Sequence, residues 1–156
     1  MALRRRTPPI TLYVVTLLLL FLALGALGGG ISLISDPSGA GLGLSRDRLA
    51  DTPFADYLLP GLFLFIVFGL GSLLTVWLLW TRPRLGALNA FTRRTFHEQP
   101  PWVLTFLLGL LLLVWIVVQV VLVRAFHPIQ GVMAVIGLAL IGLAFERRMR
   151  QYFFSA

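Results

Sequence analysis

Cysteine and lysine are both absent from the 156 residues. Without thiols the chain forms no disulfide, no thiolate metal site and no dithiol redox centre. Charge is scarce as well: Asp, Glu, Lys and Arg make up 12% of the residues, against roughly a quarter in soluble domains. The basic side chains are thirteen arginines, set against six acidic residues. The lack of lysine reads as coding bias, because exposed positions seldom need a guanidinium in particular. The apolar fraction reaches 58% and the mean hydropathy +0.92, so little polar sequence is left to build a separate soluble domain. This balance indicates an all-α integral membrane protein. An isoelectric point near 11.5 in a soluble chain would suggest nucleic acid. Here the arginines flank apolar runs, so anionic lipid head groups are the expected partners and nucleic acid is not.

Four apolar spans can be read, at about 10–33, 58–80, 102–123 and 128–145. Each is expected to be helical, because backbone polar groups in hydrocarbon must be satisfied within the segment. Their unbroken apolarity argues against the alternation of barrel strands. The fourth is short, yet at ~1.5 Å per residue it still crosses. With both termini inside, the cytoplasmic segments hold Arg4, Arg5, Arg6, Arg82, Arg84, Arg93, Arg94, Arg147, Arg148 and Arg150, while the outer segments hold only Arg46, Arg48 and Arg124. That asymmetry predicts an N-in, C-in antiparallel bundle. It has an outer loop at 34–57, a basic inner loop at 81–101 and a basic tail at 146–156. Arg4, Arg5, Arg6, Arg93, Arg94, Arg147, Arg148 and Arg150 are the expected contacts to anionic lipid. Tyr13, Trp77, Trp80 and Trp102 fall near the inner boundary, Tyr57 and Phe126 near the outer one.

Finer expectations follow. In the inner loop Leu85, Leu88, Phe91, Thr92, Thr95 and Phe96 share one helical face, which suits a short helix on the inner leaflet. Only "RAFHP" separates spans three and four, so these are antiparallel neighbours, with Pro128 in the first turn of the fourth. The tail is expected to continue the fourth helix. "RRR" before an apolar run ending in "ALGALGGG" also has features of a secretory signal. The run is longer and richer in glycine than such a signal, so an uncleaved first helix is the expectation.

Four of the six acidic residues, Asp36, Asp47, Asp51 and Asp56, crowd into the outer loop. Thr52 reads as a helix N-cap with Pro53 at the first helical position, and Asp56 then lies in the first turn, facing the positive end of the dipole. Pro60 would kink this helix or separate a short surface helix from the span. Capping thus accounts for Asp51 and Asp56 without a ligand. The alternative is a cation or substrate site made from the four aspartates, although their spacing fits no calcium loop. Arg124 is a candidate ion-pair partner for Asp51 or Asp56, and His127 stands beside it. Gly25 with Gly29, and Ala26 with Gly30, form small-xxx-small pairs suited to close helix packing, within the chain or between copies. Apart from Ser and Thr, Gln119, near the outer third of span three, is read as the only polar side chain in the spans, and it is expected to bond across helices. No charged residue is expected within a membrane core, where a proton-coupled carrier or a small multidrug carrier needs one. His97 and His127 fall on opposite sides, and no catalytic constellation, metal site or cofactor is read.

The pattern "DPSG" (Asp36–Gly39) followed by "TPFADYLLPG" (Thr52–Gly61) resembles small multi-span membrane proteins of high-GC bacteria that have no assigned activity. The resemblance covers under a third of the chain. It implies a bacterial inner-membrane setting and no mechanism. The leading expectation is a non-enzymatic four-helix protein acting through helix packing, as an accessory or assembly subunit or a homo-oligomer. An oligomeric channel or carrier, with the outer aspartates attracting cations, is the alternative. A membrane enzyme using those aspartates and His127 comes third.

Overall fold

The computed structural model describes residues 8–50, 52–83, 92, 100–123 and 128–147. Among these there is no strand. Four long helices carry the architecture: α1 (Ile10–Ser35), α2 (Leu58–Thr81), α3 (Pro100–Val123) and α4 (Pro128–Ala144). The first three are long and apolar enough to cross a membrane. At 17 residues α4 is shorter, about 26 Å at the α-helical rise. The helices form because their interiors are continuous apolar runs and their prolines sit at the starts. Pro9 caps α1, Pro60 lies in the first turn of α2, Pro100 and Pro101 open α3, and Pro128 opens α4. First-turn amides have no intrahelical acceptor, so proline loses nothing there. This is why α3 starts two residues ahead of the expected Trp102, and why Pro60 neither kinks α2 nor sets off a separate surface helix.

The helices pack in a closed ring, α1 on α2, α2 on α3, α3 on α4 and α4 on α1. Side-chain pairs show that neighbours run antiparallel. At one end Trp80 Nε1 donates to Thr16 Oγ1 at 3.0 Å; at the other, Gly30 and Gly61 lie against each other. Trp102, at the start of α3, donates to the carbonyl of Ala144 at the end of α4. The Thr11 hydroxyl, at the start of α1, donates to Glu146 just beyond α4. The fourth interface pairs Phe63 of α2 with Trp115 of α3, ring centroids 4.6 Å apart. One end of the ring therefore carries Thr11, Trp80, Trp102 and Glu146, and the other the 36–57 loop. Leu12, Val15, Leu19, Phe68, Leu112 and Leu140 fill the middle. Outward faces are apolar too, with Leu24 74% and Val135 66% exposed.

Two features depart from regular helix. Residues Leu64–Leu70 of α2 form a π-helical segment, a widened turn that shifts the facing residues of the helix. Beyond α4 the helix is interrupted at Phe145 and Glu146, whose amides bond back to Ile141, Gly142 and Leu143; the rest of the tail expected to continue it, residues 148–156, lies outside the described residues. Glu146 is thus a half-buried clasp onto the buried Thr11, not a free surface group. At the start of the 81–101 segment, α2 closes at Arg82, which takes a left-handed φ of 45° where glycine is usual. Of the proposed surface helix only Thr92 is described, and it is buried.

Candidate functional site

The loop end concentrates the features that could bind something. Between α1 and α2 the chain makes two short 3-10 turns, Ala40–Leu42 and Arg46–Leu49. Gly39 and Gly43 turn it at φ 75° and 68°, values that glycine adopts without strain. Tyr57 is the hub. Its hydroxyl donates to the Ser45 carbonyl at 2.9 Å and its amide to the Pro37 carbonyl at 3.0 Å. Its ring packs with Leu33 and Leu49, flanked by Leu44 and Phe54. A Cβ on Gly39 would stand 2.8 Å from that ring, so glycine there is required for contact as well as for φ.

Each described aspartate holds a turn of its own. Asp36 accepts from the Ser38 amide at 3.1 Å, from the Ser38 hydroxyl and, through its other oxygen, from the Gly41 amide at 3.0 Å. Asp47 accepts from the Ser45 hydroxyl at 3.0 Å, and its amide donates back to that hydroxyl. Asp56 accepts from the Leu58 amide at 3.0 Å, an orphan donor of the first turn of α2. The helix start is therefore at Leu58, not Pro53, and Thr52 serves a turn: its hydroxyl donates to Leu49 and accepts from the Phe54 amide. Asp51, Arg124 and His127 lie outside the described residues. Among the described residues no group of three or more His, Cys, Asp or Glu is placed to hold a metal ion.

Hydrogen bonds to a carboxylate contribute about 1.5–3 kcal/mol each. Asp36→Ala is therefore expected to speed amide hydrogen exchange at Ser38 and Gly41 by about tenfold or more, with exchange in α3 and α4 unchanged. A ligand-only role for Asp36 would leave both loop amides unaffected.

Beneath the loop lies a cavity of about 220 Å³. Leu33, Leu44, Leu49, Phe54, Tyr57 and Thr52 roof it, Pro60 and Leu64 of α2 wall one side, and Trp115, Val118, Gln119, Ile129 and Gln130 wall the other. A second, more open space of about 400 Å³ adjoins it on the outer side of the α2–α3 seam, sharing Phe54, Pro60 and Trp115 and continuing along Leu59, Leu62, Phe63, Ile66 and Val67. Gln119 thus faces this cavity between helices. Gln130 is a second amide inside the fourth span, 8% exposed, and corrects the reading of Gln119 as the only such side chain in the spans. Most hydroxyls in the helices bond their own backbone one turn back: Thr16, Ser32, Thr75, Thr81 and Thr105. Ser72 and the indole N–H of Trp115 are buried without a partner among the described residues.

The small residues of α1 divide. Ala26 and Gly30 are buried, and Gly30 is pressed against Phe65 and the Gly61 carbonyl. A Cβ on Gly25 or Gly29 would meet only Met133 or Leu64, each at 3.9 Å. A close approach between α3 and α4, Gly109 on Gly137, carries no local small-residue motif. Of the arginines assigned to lipid, Arg147 is exposed; Arg4, Arg5, Arg6, Arg93, Arg94, Arg148 and Arg150 lie outside the described residues.

Compared with known proteins, the chain matches no family model, and no curated protein or solved structure is significantly similar to it.

Proposed function

We propose that the chain is a non-enzymatic membrane-spanning bundle that works through its helix surfaces, as an accessory or assembly subunit of a membrane complex or as a homo-oligomer. The observation that carries this reading is where polarity goes. The outward helix faces are apolar (Leu17, Leu24, Val121 and Leu138 are each at least 60% exposed), while the described aspartates serve the folding of one loop. Such a body offers its surroundings little besides lipid-facing and helix-facing surface. The arginine asymmetry supports both termini being cytoplasmic, with the arginine-rich end against anionic head groups. The bacterial inner-membrane setting is carried by the loop resemblance alone. The channel or carrier reading needs a polar pathway, and the centre of the ring is filled by Leu19, Phe68, Leu112 and Leu140. It would have to run between copies, along faces that are apolar.

Extraction from native membranes in a mild detergent followed by native mass spectrometry tests the proposal. A second protein at fixed stoichiometry is the expected result, and a defined homo-oligomer mass would select the self-assembly form. A bare monomer under conditions that preserve other membrane complexes overturns both forms and directs effort to ion-flux assays.

A further inference from the structure

We propose that the bundle thins the bilayer along α4, so that this face, unlike that of α1, is matched to lipid with short acyl chains. The inference rests on the membrane placement proposed above. It starts from unequal helix lengths. α1 has 26 residues, α3 has 24 and α4 has 17, which rise about 39, 36 and 26 Å. The hydrocarbon layer of a typical bilayer is about 30 Å thick. The sequence gives α4 little apolar extension, because His127 precedes Pro128, and Glu146 and Arg147 follow Phe145.

Contacts between the helices show at which end the difference appears. Thr11 near the start of α1 and Trp102 near the start of α3 bond to Glu146 and Ala144 at the end of α4. The three helices therefore set out from one level, and they keep step from there. Gly109 and Gly137, which touch, stand seven residues from Trp102 and from Ala144. Gly25 and Met133, also adjacent, stand fourteen residues from Thr11 and thirteen from Glu146. The whole deficit thus falls at the loop end. There Val123 lies twenty-one residues beyond Trp102 and Pro128 only sixteen beyond Ala144, a step of about 8 Å. Counted from the Thr11–Glu146 clasp, Ser35 stands about 9 Å above Pro128.

On the bundle side the 36–57 loop occupies this step. Its Arg46–Leu49 turn packs on α3, and Leu44 and Leu49 line the same cavity as Ile129 and Gln130 of the first turn of α4. On the outward side Ile129, Val132, Val135 and Leu138 are exposed and apolar, and that stripe ends at Pro128. Lipid along this face has about 26 Å of apolar surface to cover, against well over 30 Å along α1. Tilting the bundle shares a mismatch between the two leaflets, but the difference between two faces of one packed ring remains. A span shorter than the hydrocarbon layer draws the bilayer thinner around it. Because the helices are level at the clasp end, the thinning falls on the leaflet at the loop end. Short-chained lipid, which fits there without being compressed, is the partner this face selects.

The test uses spin labels, for which the absence of cysteine gives a clean background. The ratio of a nitroxide's collision rates with oxygen and with a water-soluble nickel chelate reads its depth. Leu24 of α1 and Val132 of α4 both face outward and stand thirteen and fourteen residues from the clasp, so they share a level in the bundle. A flat bilayer would hold labels at Leu24→Cys and Val132→Cys equally deep. In full-length chain reconstituted into dioleoyl phosphatidylcholine, the Val132→Cys label is expected about 4 Å or more nearer the water. The offset should shrink in dimyristoleoyl and widen in dierucoyl phosphatidylcholine. Val14→Cys and Gly142→Cys, outward positions three and four residues from the clasp, should agree in all three lipids. Equal depths for Leu24→Cys and Val132→Cys throughout overturn the proposal, and so does an offset of the same size between Val14→Cys and Gly142→Cys, which is tilt. A Val132→Cys label that neither collider reaches also overturns it, because protein and not lipid then covers α4. The membrane placement fails separately: labels at Val14→Cys and Leu24→Cys with no difference in depth refute it, whereas a clear depth gradient with matched Leu24→Cys and Val132→Cys refutes only the thinning.

Discussion

Gly109→Ala is expected to destabilise the bundle by about 1–3 kcal/mol, the usual penalty for overpacking a filled interior. The sign is opposite to helix propensity, which favours alanine over glycine by about 1 kcal/mol in a helix interior. Geometry decides between them. A Cβ on Gly109 would stand 2.8 Å from the Gly137 carbonyl oxygen, 3.0 Å from Ile141 and 3.1 Å from Leu140. The nearest of these is backbone of the crossing helix, which cannot rotate aside, so α3 and α4 must separate along their whole contact. Gly61→Ala is expected to behave alike, with Leu33 Cβ at 2.7 Å and the Ile34 amide nitrogen at 3.2 Å. Gly69→Ala should cost less, because its closest neighbour at 2.6 Å is the tip of the Leu27 side chain. Gly28→Ala and Gly142→Ala meet nothing within 4 Å and should be neutral or stabilising by up to about 1 kcal/mol. Equilibrium unfolding in mixed detergent micelles, run on all five variants together, checks the ranking. Gly109→Ala as stable as Gly28→Ala would mean that the α3–α4 crossing is looser than described.

The same glycines show what a sequence reader could and could not see. The four helices are legible because apolar runs bounded by proline and arginine are long and unbroken, and the observed helix limits differ from those of the expected apolar spans by two residues at most. The Gly25–Gly30 run points to close packing, but which glycines meet a neighbour depends on how α1 is rotated about its axis, and only the partner helix fixes that. Gly109 and Gly137 meet across 28 residues of chain, with no local pattern to mark them. The Thr11–Glu146 clasp joins opposite ends of the fold for the same reason. Thr52 and Pro53 mislead differently. Threonine accepting an amide two residues on is the first bond of a helix cap and also of a turn, so both readings begin identically. The choice is made by Tyr57, whose bonds to Pro37 and Ser45 turn the chain and delay the helix to Leu58. The cavity was legible only through Gln119. Thr52 and Tyr57 of its lining read as loop and boundary residues, and Gln130 and Trp115, the latter well inside α3 where aromatic belts place no expectation, were not marked.

Trp102→Ala is the second substitution with a large expected cost, and it reads the opposite end of the bundle. Trp102 is 8% exposed, and its indole N–H donates to the carbonyl of Ala144, one of the last-turn acceptors of α4 that the helix itself leaves unused. Its ring lies parallel to Phe106, centroids 5.7 Å apart, while Phe145 meets both rings edge-on at 5.5 and 5.6 Å. Removing a buried tryptophan from a soluble core costs about 3–5 kcal/mol. On the membrane placement proposed above part of that is lost, because the separated helices would still be solvated by lipid as apolar as the core. The unfilled space and the bereft Ala144 carbonyl remain, so about 2–3 kcal/mol is expected for Trp102→Ala. Trp102→Phe keeps an aromatic ring for the stack and gives up only the bond, at about 1 kcal/mol. Unfolding of the two variants, with hydrogen exchange at Phe145 and Glu146, separates the contributions. If the phenylalanine variant falls as far as the alanine one, the indole–carbonyl bond alone fixes where α4 stops. If neither moves, the Thr11–Glu146 clasp holds this end of the ring without help from the aromatic stack.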